Sequence, residues 1–447
     1  MLRNKILNIL LLIGCSLLLS VFLQFTPAQS QATKEATIQL NFQNKNTVYN
    51  IDSIIDLRGG MLNIPDNSTL CFTSGKILNG TVTFNNTNIE NPRFENCRFY
   101  GSVVESDFSV IDYGVLPNKN MDCSVIINDL VNLKIVPASN NNPKTLFFPK
   151  GTYYIDNPIE LFAGYESPVT IKGVGNMSTI CQRHDNDYII KIYEQNHIRD
   201  IRLTYQKRQP SHHSRSVAIA CQRSTFSIFE NITICKAHTG FGYISQSDMK
   251  HGYNPTGSRE QCFVSDNFRN IRVYEFSGYA FDFKKEVDLG DSGSVYDNIY
   301  ISSDDWLSKT TDNISQGAIR LQNTIASFTQ LNIEGHHYSN TLIEMKQMSR
   351  MNVLSLHLEW IENMPLLLSG NVHSLAHFDL IDIQSCSFNS DSYPLFDLKD
   401  KAMVDIAHLG IRSDCKLIKR TRNQQQVTLS SAVHISNIID PIYLISK

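Results

Sequence analysis

Two glutamates, Glu334 and Glu359, each close a short apolar-polar-apolar segment, Leu331-Asn332-Ile333 and Leu356-His357-Leu358, and the two segments start 25 residues apart. Parallel strands lie about 4.8 Å apart, so stacking these segments in register would set the two carboxylates side by side. Two carboxylates that close repel, which raises the pKa of one and lets the pair hold a single proton. That is the arrangement acid/base chemistry on a glycosidic bond requires. Around the pair lie Asp304, Asp305 and the His336-His337 turn as further candidate catalytic groups. Trp306, Trp360, Tyr338 and Glu362 are candidates for contacting substrate, the two tryptophans because flat aromatic faces stack on sugar rings. The plain alternative is that these acids are solvated turn residues and that His336-His337 packs on a neighbouring turn. A slip of one residue in register would turn the acids to another face.

The elements that must position these groups repeat along the chain. Ile201-Arg202-Leu203, Ile232-Thr233-Ile234, Ile271-Arg272-Val273, Ile299-Tyr300-Ile301, Leu331-Asn332-Ile333, Leu356-His357-Leu358 and Ile381-Asp382-Ile383 follow one another at steps of 31, 39, 28, 32, 25 and 25 residues. Such spacing suits solenoid rungs of two or three short strands, with loop insertions in the longer steps. Alternation turns the two apolar members inward and the middle residue outward. The residue after each inner pair then forms a column: Thr204, Cys235, Tyr274, Ser302, Glu334, Glu359, Gln384. The competing reading, an antiparallel propeller or sandwich, suffers from the rarity of Asn-Gly hairpin turns. His212-His213 with Arg208 and Arg215, and the Gly/Ser-rich stretch Ser245 to Glu260, read as loops leaving the rungs and walling a groove.

Upstream, Val110-Ile111-Asp112-Tyr113-Gly114-Val115 is followed by a short amphipathic segment and by Leu146-Phe147-Phe148-Pro149-Lys150-Gly151-Thr152-Tyr153-Tyr154-Ile155. Asp122 as N-cap, with Val125, Ile126, Asp129-Leu130 and Leu133 at helical spacing, predicts a helix over 123–135. It is the only sizeable helix expected after the leader, and would plug the exposed apolar end of the first rung. This strand–helix–strand opening resembles that of the pectate-lyase-like superfamily of right-handed parallel β-helices. The resemblance implies an all-β right-handed parallel β-helix with a short N-terminal capping helix, acting on a polysaccharide. The segment Leu116 to Asp122 departs from the Gly/Asp/Thr-rich turn of most members. Asp304-Asp305 is similar to the paired aspartates of β-helix polygalacturonases. The accompanying Asn-Thr-Asp, Gly-His-Gly and Arg-Ile-Lys elements are absent, as is the Arg-x-Pro-x-x-Arg of calcium-dependent pectate lyases.

The start of the chain carries Arg3 and Lys5, an apolar run from Ile6 to Phe25 and small residues near Ala28-Gln29-Ser30, which read as a signal peptide over 1–30. A retained membrane anchor, or a lipoprotein signal at Leu12-Ile13-Gly14-Cys15, are the alternatives. The expected product is secreted, periplasmic or on the cell surface, without a stable membrane span once the leader is cleaved. Residues 31–107, rich in short β segments and Asn/Gly turns, form an N-terminal β module, and 108–447 the β-helix domain. Forty basic against 43 acidic residues, with no basic patch interleaved with aromatics, argue against a nucleic-acid partner. Ten cysteines less Cys15 leave nine, an odd number that argues against a full disulfide framework, with Cys221–Cys235 as one conceivable bridge.

The expected function is that of a glycoside hydrolase using paired carboxylates in a groove. A polysaccharide lyase or uronate epimerase is the alternative enzyme, Lys236 or Lys284-Lys285 being the available bases. A non-catalytic glycan-binding surface protein is the alternative outside catalysis. No metal site or cofactor is expected, calcium entering only with a lyase, and the sequence is silent on oligomeric state. With no lysine or arginine in the column of the acids until Arg412, a negative groove and a neutral glycan are expected.

Overall fold

The computed structural model describes residues 42–137, 143–161, 168–250, 261–284, 293–304, 314–362, 367–388, 396–411, 416–417 and 433–439. The leader at 1–30 with Cys15, and Asp305, Trp306, Lys285, Arg412 and most of the 245–260 loop, lie outside the described residues. Residues 42–447 form one unit.

Every strand pairing in that unit is parallel, and successive rungs feed three long sheets. One of 13 strands runs from Asp107–Ser109 to Val433–Ile439, and one of nine runs from Ile159–Leu161 to Phe396–Leu398. A seven-stranded sheet is built from residues 48–135 and opens the unit. This is a parallel β-helix. The apolar triplets stack as the periodicity requires: Ile201, Ile232, Ile271, Ile299, Leu331, Leu356 and Ile381 are consecutive register partners and are fully buried. Deeper in the same sheet Phe229, Phe268, Tyr296 and Phe328 form a stacked aromatic ladder with centroids 4.7, 4.5 and 4.5 Å apart. Flat rings repeat at the strand spacing without a void, so this packing favours one register over its neighbours.

In four of the long strands a left-handed residue stands just before the triplet. Asp200, Asn231, Asn270 and Asn298 have φ between 52° and 56°, a conformation asparagine and aspartate enter more readily than other non-glycine residues. Their side chains join the rungs, each asparagine amide donating to the side-chain oxygen of the previous rung at 2.8 Å.

The helix observed is Ser124–Asn132, within the span the spacing predicts. Its N-cap is Cys123 and not Asp122, which stands one residue earlier and accepts from the Ser124 amide and from the Asp156 amide at 2.9 Å each. Ile127 and Leu130 on the helix are fully buried, while Asp129 accepts from Arg98 and from the Phe99 amide on the N-terminal sheet. The buried Lys144 ammonium closes the other end by donating to the Val131 carbonyl at 2.5 Å and to the Leu133 carbonyl. The Cys221–Cys235 bridge is not formed: Cys221 Sγ faces the Cys262 carbonyl at 3.3 Å, and Cys235 Sγ accepts from Arg202 at 3.4 Å. No described helix is long and apolar enough to cross a membrane.

Candidate active site

The register places Glu334 directly opposite Glu359, with Ser302 on one side and Gln384 on the other. Because residues two apart on a strand share a face, the triplets' middle residues join them. The groove is therefore two columns wide, with Arg272 and Tyr274, Tyr300 and Ser302, Asn332 and Glu334, and His357 and Glu359 on successive strands. Arg272, Tyr274, Asn298, Tyr300, Asn332 and Glu334 line a cavity of about 320 Å³. Arg272, Tyr300 and Asn332 are the outward centres of their triplets and Tyr274 stands in the column of the acids, but none of them was among the expected site residues. Arg272 also corrects the expected charge. The groove is not devoid of cations, because the guanidinium reaches it from the middle column rather than from the column of the acids.

Glu334 is nearly buried, at 8% exposure, and this is its main electrostatic fact. Burial pushes its carboxyl above the usual carboxylate range. A hydrogen bond from the Tyr300 hydroxyl to Oε2 opposes the push, the charge of Glu359 adds to it, and the nearby His357 opposes it. The Tyr338 hydroxyl donates to the Glu334 carbonyl at 2.7 Å. Gly335 then turns the chain at φ +105°, where a Cβ would lie 2.4 Å from Ser303 Oγ and 2.8 Å from its amide nitrogen. Only glycine fits, and the acid is held at a fixed height on the strand.

The remaining predicted groups divide. His336 meets Asp304 across 32 residues, its amide donating to Asp304 Oδ2 at 2.7 Å and its Nδ1 lying 2.7 Å from the same oxygen. Asp304 is itself buried, and its Oδ1 has no hydrogen-bond partner among the described residues. Tyr338 is buried, with its hydroxyl used on Glu334, so it supports the acid from beneath rather than presenting a face to substrate. The described contact of His337 is its carbonyl, which takes the Ser315 amide at 3.1 Å. Trp360 is 39% exposed immediately after Glu359 and sits at φ +56°, rare for a bulky side chain. Glu362 is exposed beyond it, its amide donating to the His336 carbonyl at 3.0 Å. Missed altogether were His357 and Asp382, whose ring nitrogen and carboxylate meet at 3.2 Å. Among the described residues no group of three or more His, Cys, Asp or Glu is arranged to hold a metal ion.

Fold and groove together define a parallel β-helix protein with a carboxylate pair on one outward sheet face. Residues 108–201, which include the strand–helix–strand opening, match the family described as "Rhamnogalacturonase A/epimerase, pectate lyase-like". Over these residues the chain is similar to that family, whose name describes polysaccharide-acting enzymes. No curated protein matches the chain. Among solved structures, ORF18 of Geobacillus virus E2 is similar at 12% identity and a TM-score of 0.39, over 69% of this chain. The chain spans about three fifths, 61%, of that structure's length.

Proposed function

We propose that this protein is a secreted glycoside hydrolase that cleaves a polysaccharide laid along the rungs, with Glu334 and Glu359 as its catalytic pair. The observation that carries the reading is the register of these two acids on adjacent strands, one of them nearly buried and pushed upward in proton affinity. Glu334 would hold its proton above the usual carboxylate range, because burial disfavours its charged form. An acid that donates to the leaving glycosidic oxygen, beside a carboxylate that attacks or activates water, is the minimum a hydrolase needs. Trp360 offers an aromatic platform next to the pair. Export rests on the apolar leader of residues 6–25.

Arg272 favours a second reading, a lyase acting on an acidic sugar. Its guanidinium in the Glu334 cavity could neutralise a uronate carboxylate while a neighbouring group removes the C5 proton. One digestion separates the two. Incubation with a panel of plant and microbial glycans should release reducing ends without new ultraviolet absorbance; absorbing unsaturated uronic ends would replace the hydrolase reading by the lyase. Binding with neither product would leave a glycan-binding protein.

A further inference from the structure

The hydrolase reading leaves open what decides which glutamate keeps the proton. His357 stands two residues before Glu359 on the same outward face, in register with Asn332 on the preceding strand and Asp382 on the following one. Its Nδ1 lies 3.2 Å from Asp382 Oδ2 and its Nε2 3.5 Å from Glu359 Oε2. A neutral imidazole has one N–H and can serve one of these carboxylates; the doubly protonated ring serves both. The titratable groups around it are Glu359 on its own strand, Glu334 on the preceding strand and Asp382 on the following one. Glu334, by contrast, takes its side-chain hydrogen bond from the Tyr300 hydroxyl, with the Arg272 guanidinium lining the same cavity.

Resting on that reading, we propose that His357 is a positioning residue that fixes the roles of the pair. Braced by Asp382 through Nδ1, its ring orients the Glu359 carboxylate through Nε2 as nucleophile or base, and leaves the buried Glu334 as the proton-bearing acid. In the hydrolytic step Glu334 transfers its proton to the leaving oxygen as the glycosidic bond breaks. The electron pair that forms the new bond at the anomeric carbon comes from Glu359 or from a water whose proton Glu359 accepts. His357 transfers no proton in that step.

The test uses the full-length chain labelled with ¹³C at glutamate carboxyls, titrated by NMR, together with pH profiles of kcat/KM on whichever glycan is cleaved. His357→Gln removes the ring that opposes the upward push on Glu334 and should raise the Glu334 midpoint by roughly half a unit to one unit. Glu359→Gln removes an anion and should lower it. His357→Gln should also reduce kcat at least ~10-fold with KM changed less than ~3-fold, and His357→Lys, which restores charge, should return the Glu334 midpoint towards its original value. A folded His357→Gln variant whose Glu334 midpoint is unmoved or lowered overturns the proposal. If that variant does not fold, Asp382→Asn takes its place and must lower kcat with the same KM split; an unchanged kcat overturns the proposal equally. Wild-type turnover in both Glu334→Gln and Glu359→Gln would sink the hydrolase reading alone, because the NMR midpoints judge His357 without any substrate.

Discussion

Tyr300→Phe removes one oxygen and isolates the proton affinity of Glu334. The hydroxyl donates to Glu334 Oε2 from the neighbouring strand, a bond that favours the ionised carboxylate and so works against burial. The ring would remain beside Tyr274, whose centroid is 5.5 Å away. A hydrogen bond to a charged group contributes roughly 1.5–3 kcal/mol. At about 1.4 kcal/mol per unit, and discounted for screening at the groove mouth, its loss should lift the Glu334 titration by about one unit. The alkaline limb of kcat/KM, where the acid loses its proton, then moves upward by that amount. Stability follows the same sign. The folded-state pKa of Glu334 already lies above its ordinary 4.5, so the group stabilises the fold least once pH has risen through both values. Raising it further should cost about 1–2 kcal/mol at pH 8 and nothing below about pH 4, where the carboxyl is protonated in both states. Urea unfolding at the two pH values, beside the rate profile, reads both effects. An alkaline limb that stays put or moves down, with equal stability loss at both pH values, would refute the electrostatic account of this acid.

Three further outcomes follow from named contacts. Glu334→Gln and Glu359→Gln should each reduce turnover at least ~10²-fold with little loss of stability, since both are nearly isosteric and remove proton-transfer capacity; loss of folding instead would mark them as structural acids. Gly335→Ala should destabilise by about 1–3 kcal/mol and depress activity, because its φ of +105° and the 2.4 Å approach to Ser303 Oγ force the end of the Glu334 strand to move; a melting temperature and rate equal to wild type would contradict this. Lys144→Met should cost about 2–4 kcal/mol in denaturant unfolding, because the buried Val131 and Leu133 carbonyls at the end of the capping helix lose their donor.

The rungs were legible in the chain because a solenoid repeats its chemistry locally. Each triplet carries its own inside and outside, so superposing Leu331-Asn332-Ile333 on Leu356-His357-Leu358 was enough to predict that Glu334 faces Glu359. The capping helix was legible for a similar reason: Asp122 and the helical spacing after it act within a few residues of one another. His357, Tyr300 and Arg272 were equally exposed to this logic, since the period of two that turned the triplet centres outward also set them on the face of the acids. Reading one column instead of two is what left the groove without its arginine.

Other features had no local signal. Tyr338 reaching back to the Glu334 carbonyl, and His336 meeting Asp304 on the preceding rung, depend on how aperiodic turns fold over the sheet edge. So does Arg208, whose guanidinium donates to the carbonyls of Glu275, Phe276 and Ile314, the last of them 106 residues away. Alternation fixes which side of a strand a residue faces, because that follows from backbone geometry within two residues. What a turn residue touches depends on the path of the neighbouring rungs. The sequence by itself therefore determined the solenoid, the pairing of its two acids and the face they share with Tyr300 and His357, while the burial that makes those acids unequal and the turn contacts of Tyr338 and Asp304 were decided by tertiary structure.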